Sequence, residues 1–174
     1  MFMNTPQYQE IQKAIDFVRK SLGDSKMDLD YSIESVKYLD HILDDAFKNG
    51  QLKDPGGAFA KYQGFIMLGI SGYLAEVILK NTTNAKLEID PGDELWYTNF
   101  KVISENEWII QPGQRVIKRA YQGSEAELYA YALSAIKYFN QPKDDTTNEN
   151  TYIQEVYVRD KPKQESKKPW WKLW

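Results

Sequence analysis

The chain of 174 residues lacks cysteine and has a single histidine. Without cysteine it has no disulfide bonds, thiolate metal sites or cysteine nucleophile, which suits a reducing compartment. One histidine is too few for the multi-histidine zinc sites of hydrolases. We therefore expect a cytoplasmic protein that uses no metal and no cofactor.

Long hydrophobic runs are also scarce. The first residues, MFMNTPQYQE, have neither the basic start nor the apolar run of a secretory signal. The most apolar stretch, GFIMLGISGYLAEVIL at residues 64–79, falls short of the roughly 18 uninterrupted apolar residues of a membrane span and contains Glu76. We expect this stretch to form the central helix of the core, covered on all sides.

Positive charge is in deficit, with 22 Lys and Arg residues against 25 Asp and Glu residues and a net charge of −3. Because nucleic-acid binding requires a basic surface, we do not expect a nucleic acid as partner. The final segment, KPKQESKKPWWKLW at residues 161–174, carries five of the lysines. The remainder of the chain is therefore more acidic than the total indicates.

What the sequence does contain is helical periodicity over most of its first 140 residues. Thr5 and Pro6 predict the start of a first helix that runs to about Leu22. A second helix is predicted to start at Asp30 or Ser32 and to stop at Asn49 and Gly50. Two more are predicted over residues 58–80 and 114–121. A capping box of Ser124 with Glu127 predicts the start of a last helix, which runs to about residue 139.

Gly69, Gly72 and Glu76 lie on one face of the central helix because they are spaced at i, i+3 and i+7. Two positions without side chains would let another backbone come very close, which offsets a helix-propensity cost of about 1 kcal/mol per glycine. We expect another part of the same chain to cover this face.

Alternating residues predict a small antiparallel meander after the central helix, with strands at residues 87–89, 95–102 and 108–110. Together these patterns predict an α+β fold, in which about four to five helices pack on a small antiparallel sheet. We assign residues 1–140 to this domain, residues 141–160 to a linker with a late strand in TYIQEVYV, and residues 161–174 to a basic, tryptophan-rich tail.

Glu76 is the only acid in the central apolar segment. A carboxylate held among apolar residues suits general acid or base work. We favour a structural ion pair instead, either with Lys80 at i+4 or, across the glycine face, with a basic residue of the short helix at 114–121. The basic residues of that helix are Arg115, Lys118 and Arg119, which are also candidates for binding a ligand or a protein partner.

His41 and Asp45 have the i, i+4 spacing of a metal-binding pair. Helical phase places them on the side opposite the apolar stripe, together with Glu34, Lys37 and Lys48. This is the pattern of a solvated face with ordinary charge pairs, so we do not expect a metal site there.

The tail carries a surface signal, because Trp170, Trp171 and Trp174 lie beside lysines in a segment too short to bury them all. Tryptophan with lysine suits the surface of a membrane that contains anionic lipids. Tryptophan anchors suit a groove on a protein partner equally well. A tail that is disordered or folded back on the domain is a third interpretation.

A set of short motifs occurs in a fixed order along the middle of the chain, from about Ser32 to Phe139. It consists of Gly72-Tyr73-Leu74-Ala75-Glu76-Val77-Ile78, then Trp96, then Pro112, Val116, Lys118 and Arg119. This order resembles that of a family of small uncharacterised bacterial proteins, in which a Gly-x-Tyr-x-x-Glu-Val/Ile helix precedes a tryptophan-containing meander and a Pro-x-x-x-Val-x-Lys-Arg helix. The resemblance implies a bacterial cytosolic domain without catalytic activity, and some relatives look like toxin-neutralising immunity proteins.

We therefore expect a non-catalytic protein-binding domain. If it is an immunity protein, we expect its acidic face to block a basic site on a toxin. The alternative is a peripheral membrane protein held by its C-terminal tail. The second alternative is an enzyme that uses Glu76 as acid or base beside the basic residues of the short helix.

Overall fold

The computed structural model describes residues 5–22 and 29–141, all of which belong to one unit, Met1–Gln141. Their fold is α+β, as the sequence predicts, with seven α-helices and two small antiparallel sheets among the described residues. Two of these helices are single turns, which accounts for the excess over the expected number. The predicted late strand and the tail lie outside the described residues.

The helices are α1 Pro6–Ser21, α2 Val36–Ala46, α3 Ala58–Lys61, α4 Gln63–Lys80, α5 Trp96–Asn99, α6 Pro112–Gln122 and α7 Leu128–Phe139. The strands are β1 Phe47–Lys48, β2 Gln51–Leu52, β3 Lys86–Glu88, β4 Lys101–Ile103 and β5 Ile109–Ile110. β1 and β2 form a hairpin. The second sheet has the order β3-β4-β5, with both pairs antiparallel.

α1 begins as the sequence predicts. The Thr5 hydroxyl accepts a hydrogen bond from the backbone N–H of Tyr8 at 3.2 Å, and Pro6 is the first helical residue. This arrangement satisfies one of the N–H groups that have no partner within the first turn of a helix. The stripe that α1 buries consists of Ile11, Ala14, Ile15 and Val18.

α4 is the predicted central helix, and it is buried on nearly all sides. The close approach at its glycines is confirmed, because a Cβ atom on Gly69 would lie 2.3 Å from the carbonyl oxygen of Ala14. A Cβ atom on Gly72 would lie 2.5 Å from Cγ2 of Ile11. α1 therefore crosses directly over the glycine face, at a distance that only glycine permits.

The predicted start of the second helix is wrong. α2 begins at Val36 rather than at Asp30 or Ser32. Tyr31 has a φ of 66°, which rules out a helix that starts at Asp30. After Ser32, the backbone N–H of Ser35 donates to the carbonyl of Ser32 at 3.2 Å, the i to i−3 bond of a turn and not the i to i−4 bond of an α-helix. The predicted stop at Asn49 and Gly50 is instead the turn of the β1–β2 hairpin. Their φ values of 51° and 75° are those that a tight hairpin turn requires.

The predicted strand at residues 95–102 is wrong over its first half, where the chain forms α5, and only β4 is a strand. Trp96, Tyr97 and Phe100 are spaced at i, i+1 and i+4, so their apolar pattern fits a helical turn as well as a strand. The Asp93 carboxylate accepts hydrogen bonds from the backbone N–H of Leu95 and from the Asn99 side chain, and these local bonds favour the helical turn.

The three-stranded sheet has an inner face on the core and an outer face. Leu87, Val102 and Ile110 are opposite one another in the register and pack on the core. Because side chains alternate along a strand, their neighbours lie on the outer face. The outer face has one row of Lys86, Ile103 and Ile109, and a second row of Glu88, Lys101 and Gln111, the residue after β5.

Candidate functional site

Glu76 lies half-buried where α4 meets α1. Its Oε1 accepts hydrogen bonds from Gln12 Nε2 at 3.2 Å and from the Tyr8 hydroxyl at 3.5 Å. Burial and the adjacent Glu76 carboxylate raise the pKa of Tyr8, so the hydroxyl remains a donor. Because α1 covers the glycine face, the predicted pairing of Glu76 with basic residues of α6 across that face is wrong. The other predicted partner, Lys80, places its Nζ 3.8 Å from the centre of the Tyr31 ring.

Arg119 is buried between α6 and α2, with only 3% of its surface exposed. Its Nε donates to Asp40 Oδ1 at 2.7 Å, and its Nη2 donates to Asp44 Oδ1 at 2.7 Å. Burial by itself would lower the pKa of Arg119, but the hydrogen bonds that it donates to Asp40 and Asp44 raise its pKa above the ordinary value. Arg119 is therefore a permanently charged structural residue that ties α6 to α2.

The Asp40 carboxylate also caps the N-terminus of α7. Its Oδ1 accepts from the backbone N–H of Leu128 at 2.9 Å, and its Oδ2 accepts from that of Tyr129 at 3.0 Å. A carboxylate at this position also interacts favourably with the positive end of the helix dipole. The predicted capping box of Ser124 with Glu127 is therefore wrong, because α2 supplies the cap.

The other two basic candidates lie on the same helix as Arg119. Arg115 Nη2 donates to the Glu127 carbonyl at 3.3 Å, and its guanidinium lies 4.9 Å from the centre of the Tyr131 ring. Lys118 is half-buried on the same helix. The catalytic set of Glu76 with these residues is not assembled, because Glu76 contacts α1 while Arg119 contacts α2.

Tyr73 is buried within the motif that carries the family resemblance. Its hydroxyl oxygen accepts from the backbone N–H of Tyr31 at 2.8 Å and shares a hydrogen bond of 2.7 Å with Ser35 Oγ. The rings of Tyr31 and Tyr73 are stacked, with their centres 4.9 Å apart, and burial raises the pKa of Tyr73. Tyr73 thus holds the loop before α2 against α4.

Tyr73, Glu76 and Arg119 are the polar motif residues whose contacts are described, and each joins one helix to another element. Gly72 directly precedes Tyr73, so this chain matches the Tyr-x-x-Glu-Val part of the helix pattern and lacks the residue between glycine and tyrosine. The motif residues with described contacts therefore help to hold the domain together.

A polar pocket of about 250 Å³ lies at one end of the three-stranded sheet. We call it the acidic pocket, because three carboxylates and a single lysine line it. One wall of the pocket is the row of Glu88, Lys101 and Gln111 on the outer face of the sheet, and another is the loop that joins β3 to α5. Its lining residues are Glu88, Asp90, Asp93, Asn99, Lys101 and Gln111.

Hydrogen bonds hold two of the three acids of this pocket, Asp90 and Asp93, in place. Asp93 Oδ2 accepts from Asn99 Nδ2 at 2.8 Å, and its Oδ1 accepts from the backbone N–H of Leu95 at 2.8 Å. The bonds from Asn99 and Leu95 lower the pKa of Asp93, with a further contribution from the charge of Lys101. Asp90 Oδ1 accepts from the Gly92 N–H at 2.9 Å. These bonds fix Asp90 and Asp93 in the lining of the pocket, which contains three acids and one lysine.

Sequence reasoning missed this pocket, because it treats residues 90–94 only as the connection between two predicted strands. The available signal was the concentration of four acids between Glu88 and Glu94. Their convergence with Asn99 and Gln111 depends on the register of β4 and β5 and on α5, and neither is visible in the sequence.

Neither a cluster of metal-ligand side chains nor a membrane-spanning helix occurs in residues 5–22 and 29–141. No group of three or more His, Asp or Glu side chains in these ranges is arranged to hold a metal ion. His41 is exposed on α2 together with Lys37 and Asp45, as helical phase predicts, and Glu34 before the helix and Lys48 after it are exposed as well. None of the helices in the same ranges combines the length and apolar character that crossing a bilayer requires.

The remaining binding candidates, Trp170, Trp171 and Trp174, lie outside the described residues. Comparisons with protein-family models, with curated proteins and with solved structures find no match for this chain. The resemblance to a bacterial family therefore stays a prediction from the sequence.

Proposed function

We propose that this chain is a non-catalytic protein-binding domain that engages a basic protein partner through the acidic pocket. The observation that carries the proposal is the contrast between two groups of acids. Asp40 and Glu76 are engaged by neighbouring helices, whereas Glu88 and Asp90 line a cavity that opens to solvent.

The charge of the domain supports the same partner chemistry. Residues 1–141 contain 15 Lys and Arg residues against 19 Asp and Glu residues. A negative surface attracts a positively charged protein over about a Debye length, which is about 8 Å at physiological ionic strength. Such complementarity raises the rate of encounter and selects against acidic partners. In the immunity version of this function, the partner is a bacterial toxin whose basic site the domain covers.

Affinity capture with the tagged full-length chain tests the proposal. The pocket variant combines Glu88→Gln, Asp90→Asn and Asp93→Asn. The matched control combines Asp16→Asn, Asp45→Asn and Glu125→Gln, which neutralises three exposed acids elsewhere on the surface. We expect one basic protein to be retained by the wild type and the control, to be lost with the pocket variant, and to elute as the salt concentration rises.

Two results contradict the proposal. One is a capture in which no protein is enriched on the wild-type chain. The other is a partner that the pocket variant retains as well as the wild type does, since binding would then not involve the acidic pocket.

The lysine and tryptophan content of residues 161–174 favours a second candidate, attachment to a membrane surface. We expect the full-length protein to float with liposomes that contain anionic lipid and to be released by salt. A chain that ends at residue 160 is the control. Equal flotation of the two proteins contradicts this candidate.

A further inference from the structure

Two isoleucines on the outer face of the sheet have no place in the core. Ile103 of β4 and Ile109 of β5 are directly opposite in the register, and neither belongs to the hydrophobic cluster that fills the interior. Ile109 is 40% exposed, although it is a large aliphatic residue within a strand. Their inward-facing neighbours, Val102 and Ile110, do pack on the core.

The hydrogen-bond pattern brings the two isoleucines together. The backbone N–H of Ser104 donates to the carbonyl of Trp108 at 2.9 Å, so these two residues form a hydrogen-bonded pair. Pairs alternate along an antiparallel ladder, so Ile103 and Ile109 form a non-hydrogen-bonded pair, in which side chains lie closer. We call this pair the isoleucine strip.

The isoleucine strip is adjacent to the acidic pocket on the same face. The next row along the strands consists of Glu88, Lys101 and Gln111, which line the pocket. Rows on one face are two residues apart, a separation of about 7 Å. An apolar surface bordered by charged and polar groups is the usual composition of a protein–protein interface.

We propose that the outer face of β3, β4 and β5 is the docking surface for an extended segment of a partner protein. The segment places a Lys or Arg side chain in the acidic pocket and an aliphatic side chain, two residues away, on the isoleucine strip. This inference rests on the proposed function and specifies its partner.

Charge complementarity and spacing identify this occupant. Three carboxylates against Lys101 select a cationic group in the pocket, and the isoleucine strip selects an aliphatic one. In an extended chain, residues i and i+2 point to the same side about 7 Å apart, which matches the spacing of the two rows. Partner recognition would therefore depend on the spacing of two side chains as well as on net charge.

The test is a selection of random linear peptides, displayed on phage, against the full-length protein, because an extended peptide presents alternate side chains to neighbouring sites on a sheet. We expect the enriched sequences to carry Lys or Arg two residues from Ile, Leu or Val. A synthetic peptide of that pattern should bind about tenfold more weakly, equivalent to 1.4 kcal/mol, to the double variant Ile103→Thr with Ile109→Thr. Threonine keeps the β-branched shape that suits a strand. Leu133→Thr, at a side chain of α7 that is 44% exposed, is the control and should leave binding unchanged.

The outcomes separate this inference from the proposed function. Peptides that are lost with the pocket variant but bind the isoleucine variant normally overturn the docking surface and leave the basic-partner function standing. An absence of enriched peptides, or enrichment that is independent of the acidic pocket, counts against both.

Two other occupants give their own results. The first is a segment of this chain itself. If no random peptide is enriched and a synthetic peptide with the sequence of residues 142–174 binds the outer face instead, this chain is the source of the segment and an external partner is overturned. Self-association of the full-length protein that Ile109→Thr abolishes identifies a second copy and overturns it as well.

Discussion

The helical core and the end of the three-stranded sheet use charged residues in opposite ways. In the core, Asp40 is 6% exposed and accepts hydrogen bonds from Arg119 and from two backbone amides of α7. At the sheet end, Glu88 and Asp90 line a pocket that opens to solvent. Among the described residues, buried charge fixes the arrangement of helices, and we propose that the charge of the acidic pocket meets a partner.

The largest predicted effect is the loss of stability in Asp40→Ala. Asp40→Ala leaves Arg119 buried beside only the exposed Asp44 and removes the cap of α7. Breaking a buried ion pair in this way costs about 3–5 kcal/mol in the free energy of unfolding, which urea denaturation measures. Asp45→Ala, on the exposed face of the same helix, should change it by less than about 0.5 kcal/mol. Equal effects of the two substitutions would show that the buried network does not hold the helices.

The second prediction concerns the contact between α1 and α4. In Gly69→Ala the new methyl group collides with backbone atoms of Ala14, so we expect a loss of about 1–3 kcal/mol in the free energy of unfolding. Gly64→Ala is the matched control, because its methyl group would meet no atom within 4 Å. Alanine is favoured over glycine in a helix by up to about 1 kcal/mol, so the control should be neutral or stabilising. A stabilising Gly69→Ala contradicts the close approach.

The third prediction isolates the hydroxyl of Tyr73. Tyr73→Phe removes the partner of the Tyr31 N–H and of Ser35 Oγ, which should lower the free energy of unfolding by about 1–2 kcal/mol. Thermal denaturation of this variant is compared with that of Tyr62→Phe, whose ring is 45% exposed. A similar shift in both would mean that the hydroxyl of Tyr73 holds nothing in place.

The smallest predicted effect is the pH dependence of the acidic pocket. The pKa of Asp93 is lowered in the folded protein, mainly by its hydrogen bonds with Asn99 and Leu95, so the charged form stabilises the fold. This contribution is fully present above the ordinary aspartate pKa of 3.8 and is lost as the pH falls through the lower, folded-state pKa. Asp93→Asn should therefore melt below the wild type at neutral pH, and the difference should vanish in acid. A difference that persists at low pH refutes this assignment.

Local patterns predicted the parts of this fold that depend on neighbours in the sequence. The cap at Thr5, the glycine face of α4, the exposed face of α2 and the strand β3 all follow from periodicity within one element. The α+β fold class also follows, because helical and alternating patterns occur in succession.

Contacts between distant segments were not predictable in the same way. Arg119 and Asp40 are 79 positions apart, and a sequence does not show which buried acid meets which buried base. One signal was available, since Asp40 is i+4 from Val36 and i−3 from Leu43 and so falls within the apolar stripe of α2. The acidic pocket was hidden for a different reason, because it requires the register of three strands.

Amide chemical-shift mapping of the full-length protein, titrated with a peptide from the selection, tests the central claim most directly. The account predicts that the shifts concentrate at residues 86–93, 101–103 and 109–111, the outer face of the sheet and the acidic pocket. Shifts concentrated around Glu76 or around Arg119 would contradict it, because the charges of the helical core would then be the ones that meet a partner.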